Sequence, residues 1–387
     1  MKVQITDTVK YVGVDDTTLD LFESQYVIPE GVSYNSYVIL DEKIAVMDTV
    51  DKRGMQEWEE NLKEVLAERK PDYLVIQHLE PDHAGSIARF VELYPEVTLV
   101  GNAKTFAMLP QFFDFDLEGR TLTVKEGDVL SLGSHELTFV MAPMVHWPEV
   151  MVTYDKTDKI LFAADGFGKF GALSVTADKD WACEARRYYF NIVGKYGAPV
   201  QTLLKKAAGL DIAYICPLHG PVLSENLGYY IDLYNTWSSY QPENEGVLVA
   251  YASIHGNTAK VAEYIGEQLK AKGVAKVVVS DLAREDMAEV IEDAFRYDRM
   301  ILCAASYDGG VFPCMQDFLH HLQSKTYQNR KVALVENGSW APSAGKTMRS
   351  ILDTMKNLEI AMPMVTIRST MKEADKAALN ALVDAMV

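Results

Sequence analysis

His78-Leu79-Glu80-Pro81-Asp82-His83 places two imidazoles and two carboxylates within six residues, directly after the apolar run Tyr73-Leu74-Val75-Ile76. That run is short, rich in β-formers and bounded by polar residues, so it reads as a buried strand. Beyond it, Gly85 and Ser86 open a segment with Ile87, Phe90, Val91 and Tyr94 at helical spacing. The cluster is therefore expected in a loop between the C-terminal end of a strand and the start of a helix, where α/β folds place chemistry. Alternating nitrogen and oxygen donors on a tight loop suit convergence on a metal. The competing reading is a solvated polar loop whose acids cap a helix.

The whole chain sets the frame. Its 387 residues suffice for two domains with substantial cores. A hydrophobic fraction of 48% with 24% charged residues is ordinary for a soluble globular protein. A formal net charge of −18 argues against nucleic acid or an anionic membrane as partner, since both demand positive charge. Cys183, Cys216, Cys303 and Cys314 form no C-x-x-C pair, which excludes zinc-ribbon, rubredoxin and thioredoxin motifs and points to a reducing cytoplasm. The start, Met1-Lys2-Val3-Gln4-Ile5-Thr6-Asp7, lacks the apolar core of a signal peptide, and no run reaches the ~20 apolar residues of a membrane span.

Working outward from the cluster, Ser33–Leu40, Asp41-Glu42-Lys43 and Ile44–Asp48 read as a hairpin, followed by a helical stretch to about Lys70. Short strands are predicted at Val97–Val100, Thr121–Val124, Glu136–Met141, Val150–Tyr154 and Ile160–Ala164, the pattern of stacked sheets covered by helices. Three further ligand candidates end or follow such runs. They are His146 after Leu137–Met141, Asp165 after Ile160–Ala164, and His219 after Ile212–Cys216. Their repeated placement at strand ends is the signal, since each alone reads more naturally as structural. His135, in the turn Gly133-Ser134-His135-Glu136, is read as solvated, and His320 and His321 as structural or surface residues of a helix.

A helix is expected from Leu227 to Tyr240, broken by Gln241-Pro242-Glu243-Asn244-Glu245-Gly246, a linker by composition. The pattern then becomes regular βα alternation, with strands at Val247–Ala250, Val277–Ser280, Met300–Ala304, Lys331–Val335 and Met364–Ile367. Five strands in this span fit a doubly wound parallel sheet with its ligand at the loops after strands one, three and four. The first loop, Ser253-Ile254-His255-Gly256-Asn257-Thr258, offers hydroxyls and backbone N–H groups at a helix start, a cradle for a phosphate monoester. Ser306-Tyr307-Asp308-Gly309-Gly310 and Asn337-Gly338-Ser339-Trp340 add aromatics beside glycines, which let a flat ring approach the backbone. Together the three loops point to a phosphorylated flavin, FMN. Gly345-Lys346-Thr347 imitates the tail of a P-loop, but Trp340 stands where that pattern needs Gly. No G-x-G-x-x-G follows the first strand, so a nicotinamide dinucleotide site is not supported.

With both halves read, the chain resembles the flavodiiron protein family, also called A-type flavoproteins or rubredoxin:oxygen oxidoreductases. The resemblance runs over nearly the whole chain, including Gly31-Val32-Ser33-Tyr34-Asn35-Ser36-Tyr37 and Asn337-Gly338-Ser339-Trp340-Ala341-Pro342. It implies an α/β chain: an N-terminal metallo-β-lactamase-like αββα sandwich over residues 1–241, then a flavodoxin-like doubly wound five-stranded parallel sheet over 246–387. Glu80 stands where zinc hydrolases of that fold carry a second His. The resemblance implies two non-haem irons, one on His78, Glu80 and His146, the other on Asp82, His83 and His219, bridged by Asp165. Oxygen-rich, anionic ligands agree with iron over zinc. Tyr26, Trp147 and Tyr196 are the expected lining of the substrate pocket. His255 departs from the residues usual in the family's phosphate loop, and Gln77 is expected to adjust only what surrounds the ligands.

The activity so implied is reduction of O2 to water, of NO to N2O, or of both. Two electrons stored on FMN and two on the irons match the four that O2 needs. A head-to-tail homodimer, or a dimer of such dimers, is implied, with FMN of one subunit serving the irons of the other. No rubredoxin-like Cys pairs and no flavin reductase module follow Val387, so a separate donor such as rubredoxin or F420H2 is expected. Two other readings stand beside this one. A zinc hydrolase with an accessory flavodoxin-like domain would hold zinc without iron. An electron carrier with structural iron would show reducible flavin but no turnover with either gas.

Overall fold

The computed structural model describes residues 5–176 and 179–387; the start of the chain, Met1 to Gln4, lies outside them. The chain forms two compact units, Met1–Tyr189 with Ala198–Asn235, and Phe190–Gly197 with Thr236–Val387.

In the first unit the apolar runs form two sheets. One has six strands in the order Val9–Tyr11, Tyr37–Ile39, Ala45–Met47, Tyr73–Val75, Thr98–Asn102 and Thr121–Val124. The other has five, Val129–Ser131, Glu136–Met141, Met151–Asp155, Ile160–Phe162 and Tyr214–Cys216. Successive side chains of a strand face opposite ways, and here the inward sets meet. Tyr37, Ile39, Met47, Val75 and Val100 from one sheet pack with Leu137, Phe139, Met151, Ile160 and Phe162 from the other. On the outer face of the first sheet, helix Met55–Leu66 buries Trp58, Leu62 and Leu66, and the Trp58 ring packs on Phe90 of helix Ile87–Leu93 at 5.6 Å. Sheets inside and helices outside make the αββα sandwich.

The hairpin expected from Ser33 is shorter than its apolar run. Only Tyr37–Ile39 pairs with Ala45–Met47, while Val32–Tyr34 turns away to pair with Val14–Asp16. The following helix stops at Leu66, where Ala67 takes a positive φ of 50°. His135 is a correction. It is 1% exposed rather than solvated, with Nδ1 2.8 Å from an Asp155 carboxylate oxygen and Nε2 3.1 Å from the Thr8 hydroxyl. Helix Pro313–Ser324 carries His320 exposed and His321 half-buried.

The second unit is built on parallel strands in the order Val277–Asp281, Asn244–Ala252, Tyr297–Tyr307, Arg330–Asn337 and Leu358–Ile360. The strands are near-continuous apolar runs because both faces are covered. Val247, Val249, Ile301, Cys303, Ala333 and Val335 pack on helices Asn257–Ala271 and Lys376–Met386. The alternating residues Leu248, Ala250, Met300, Leu302, Val332 and Leu334 are buried on the opposite face. The five-stranded expectation needs two refinements. Its last position is split between Leu358–Ile360 and Val365–Ile367, both parallel to Arg330–Asn337, and the two-residue strand Gly310–Val311 folds back on Tyr297–Tyr307. The first strand begins at Asn244, inside the stretch expected as linker, with a register shift before Val247. Among the described residues no helix is long and apolar enough to cross a membrane.

Candidate metal centre and flavin site

Four strand ends of the first unit converge on one cluster. The loop after Tyr73–Val75 supplies His78 and Glu80. Asp82 and His83 follow on the single helical turn Pro81–Ala84, not in the loop expected for them. Pro81 starts that turn because its fixed φ suits a first helical position. His146 follows Glu136–Met141, Asp165 follows Ile160–Phe162, and His219 follows Tyr214–Cys216. All seven residues predicted as ligands are brought together. His78, Glu80, His146 and Asp165 have donor atoms within 4.8 Å of one another, as do Asp82, His83 and His219.

Asp165 joins the two groups. Its Oδ2 lies 3.3 Å from His78 Nε2 and 3.1 Å from His146 Nε2, while its Oδ1 lies 3.1 Å from His83 Nε2 and 3.8 Å from His219 Nε2. Glu80 closes the first group at 3.0 Å from His146 Nε2, and Asp82 the second at 3.1 Å from His219 Nε2.

Glu80 is hydrogen-bonded to His146 and His78, but the contacts of Asp165 and Asp82 are close and poorly aligned. Both oxygens of Asp82, both of Asp165, both ring nitrogens of His83 and Nε2 of His219 are buried with no hydrogen-bond partner among the described residues. Buried polar atoms are nearly always paired, so such a concentration of converging lone pairs fits metal ions. Charge agrees. Among the described residues no lysine or arginine ion-pairs with Glu80, Asp82 or Asp165, only histidines do. Burial works against ionisation of Glu80, yet hydrogen bonds from His146 and His78 hold its carboxyl below the usual range. Burial likewise opposes charge on His78, and Asp165, Glu149 and Glu80 outweigh it to raise the imidazole pKa. Two divalent cations would satisfy the same demand for positive charge.

The side chains that aim the ligands lie far away in sequence. Glu149 takes the His78 Nδ1–H at 2.8 Å and the Leu79 amide at 2.9 Å, leaving Nε2 of His78 directed at the cluster. The Ser33 carbonyl accepts from His219 Nδ1 at 2.7 Å, and Asn35 Nδ2 donates to the carbonyls of Pro217 and Gly220 on either side. Asp48 accepts from the Gln77 amide and side chain at 2.7 and 2.9 Å, and burial pushes its carboxyl up to about 6. Gln77 therefore anchors the ligand loop. Sequence reasoning missed Glu149, although its place in His146-Trp147-Pro148-Glu149 was a signal: an acid beside a ligand in an otherwise apolar neighbourhood.

Aromatic rings enclose the centre. Trp147 meets His78 edge-on at 5.2 Å, and Phe22 and Tyr188 lie 5.5 and 5.4 Å from His219. Tyr26 is buried against Phe170, one ring further out. Tyr196 falls in the second unit, on the turn Gly194–Tyr196. A cavity of about 260 Å³ reaches the candidate ligands Glu80 and Asp82 past Phe22, Tyr34 and Arg53.

In the second unit the three expected loops all sit at the C-terminal edge of the sheet. Ser253, Ile254 and His255 lead to Gly256, which begins the helix at Asn257 with φ 85°, a backbone that favours glycine. No side chain caps that helix, and nothing lies within 4 Å of the Cβ position of Gly256, so the first-turn N–H groups face an open cradle. Thr258 is buried behind it. Tyr307 and Trp340 are 44% and 90% exposed, as rings meant to cover a planar ligand would be. Asp308 and Gly309 turn the chain through positive φ, and Gly310 pairs back. Ser306 is internal. Its hydroxyl accepts from the amides of Ser343 and Ala344 and so shapes the loop. Asn337 clamps Ser369 in both directions, Gly338 lies against Pro342 and Ser306, and Ser339 meets the Ser369 hydroxyl. The loop Arg368–Thr370 is thus a fourth wall that no sequence signal announced.

Comparison with known proteins agrees with both halves. Residues 32–220 match the ODP family beta lactamase and residues 248–371 a flavodoxin domain. A nitric oxide reductase of Moorella thermoacetica is 29% identical over 95% of this chain and 93% of its own. Rubredoxin oxygen:oxidoreductase from Desulfovibrio gigas has the same fold, with TM-score 0.93 at 24% identity over 100% and 98% of the two chains. The flavodiiron protein from Giardia intestinalis gives TM-score 0.90 at 24% identity over 100% and 96%. The chain thus joins an ODP family beta lactamase domain to a flavodoxin domain, in the order and with the fold of the flavodiiron proteins.

Proposed function

We propose that the chain is an electron-fed reductase that takes O2 to water, NO to N2O, or both, at two non-haem irons, with FMN as the internal electron store. The observation that carries this reading is Asp165, whose two oxygens face two separate histidine pairs. His78, Glu80 and His146 would hold one iron and Asp82, His83 and His219 the other, with Asp165 shared between them. A site meant for one structural metal has no use for a second. When bound, FMN and the irons together supply the four electrons that O2 needs, or the two that join a pair of NO molecules into N2O and water.

The protein's own groups bind, orient and shield. Glu149 and the Ser33 carbonyl fix the tautomers of His78 and His219. Trp147, Phe22 and Tyr188 exclude bulk water, and the cavity above Glu80 and Asp82 is wide enough for a diatomic gas. Burial, with Asp165 and Glu80 nearby, holds the Tyr188 hydroxyl well above its ordinary pKa, so it stays a proton-bearing group beside the centre. In the second domain the open turn at Gly256 would take the FMN phosphate, and Tyr307 and Trp340 would cover the ring. Residues 1–241 are the iron-bearing domain and 246–387 the FMN domain. The reading includes an external donor, rubredoxin or F420H2, and a head-to-tail homodimer or a dimer of dimers.

A single turnover tests it. The protein is reduced anaerobically, mixed with O2 or NO, and followed through flavin and iron oxidation with product analysis. Fast reoxidation by O2 to water with little peroxide marks an oxygen reductase, and fast N2O formation a nitric oxide reductase. Failure of both gases would leave an electron carrier, and zinc without iron a hydrolase.

A further inference from the structure

Lys169 is only 1% exposed, and among the described residues no carboxylate or carbonyl pairs with its ammonium. A lysine this deep is ordinarily ion-paired, because burying an isolated ammonium is costly. Its stem is pinned. Gly220, in the left-handed region at φ 80°, lies so close that an added Cβ would stand 2.5 Å from Lys169 Cγ. The side chain cannot swing out through that wall, and it lines a cavity of about 510 Å³. Such a volume is typical of small-molecule pockets.

Two of the three acids around the cavity are already matched. Glu30 pairs with Lys179, and Glu184 with Arg187 at 3.2 Å. Asp180 is exposed and outside ion-pair reach of Lys169. Burial lowers the Lys169 pKa, with Glu184 and Asp180 opposing from a distance, so the amine wants a closer anion. Lys169 offers a single positive charge deep in the cavity, and the acids nearby, Asp180 among them, disfavour a guest with more than one negative charge. Ile28, Pro29 and Phe170 make part of the wall apolar, which suits a hydrocarbon or aromatic body rather than a bare inorganic ion.

We propose that this cavity binds an organic monocarboxylate, its carboxylate on Lys169 and its apolar body against Ile28, Pro29 and Phe170. The site is separate from both the metal cluster and the flavin cradle, and the proposal stands independently of the redox reading.

The probe is benzoate, titrated calorimetrically into the full-length holoprotein, with benzamide as neutral isostere and inorganic phosphate as doubly charged control. Saturable binding of one benzoate per chain is expected, with benzamide and phosphate at least tenfold weaker. Lys169→Met should weaken benzoate at least tenfold. Cys183→Phe, which keeps Lys169 and fills space at the cavity wall, should do the same with an unchanged melting temperature, so a misfolded K169M would not stall the test. Benzoate should also slow reductive methylation of Lys169, read by mass spectrometry. Equal binding of benzoate and benzamide, undiminished binding to both variants, tighter phosphate than benzoate, or no benzoate binding at all would each overturn the proposal.

Discussion

Two histidine–aspartate clusters lie in the first unit, and their contrast shows what makes such a cluster a metal site. His135 with Asp155 and Asp158 has donor atoms as close as those of the ligand set. Yet each is satisfied from within: His135 binds Asp155 and Thr8, and Asp158 accepts from the hydroxyls of Thr6 and Thr8 at 2.6 and 3.0 Å. At Asp165, Asp82 and the inward nitrogens of His83 and His219 the lone pairs converge without hydrogen bonds, and supporting partners occupy the far nitrogens of His78 and His219. Residue type and proximity are equal. The difference is whether the polar atoms are spent on one another or kept for a guest.

The strongest way to break this contrast is to remove its bridge. Asp165→Ala should cut iron from two per chain toward none and lower gas reduction by more than a hundredfold, because both groups lose a shared oxygen donor. Elemental analysis beside a stopped-flow assay reads this directly. Retention of two irons would show that Asp165 is not shared.

A subtler change leaves every ligand in place. Glu149→Ala frees His78 Nδ1 and the Leu79 amide, and loss of such a supporting partner costs about 10–100-fold in metal affinity or activity. Glu149→Gln keeps an oxygen acceptor and should recover most of the loss. Iron affinity measured by competition with a chelator separates the two variants. If alanine and glutamine behave alike, the hydrogen bond is not what matters.

What could be read from the sequence follows the same division. The candidate ligands were legible because four of them crowd into His78–His83 and the others end apolar runs, both local properties of the chain. Their supports were not, since Glu149 reaches His78 across 71 residues and the Ser33 carbonyl reaches His219 across 186. His135 was misread for the same reason. Its turn is polar in sequence, and only Thr8, 127 residues away, and the neighbouring strand bury it. The sheet of the second unit was legible in its alternation, but not the break between Ile360 and Val365 nor the clamp from Asn337 to Ser369.

The smallest effect on metal is expected at the satisfied cluster. His135→Gln should leave two irons bound and turnover unchanged, while costing about 1–3 kcal/mol of stability through a lost charge-assisted hydrogen bond in a buried site. The pH dependence has a defined sign. The hydrogen bond to Asp155 raises the His135 pKa, with burial opposing and the charges of Asp155, Asp158 and Asp41 assisting. A group whose folded pKa is raised stabilises fully below its unfolded value, about 6.5, and loses that contribution as pH rises through the folded value. The melting difference between wild type and His135→Gln should therefore be largest near pH 6 and shrink above it. A difference that grows with pH would mean that the folded protein holds His135 neutral, and an accompanying loss of iron would mean that this cluster too keeps a place for metal.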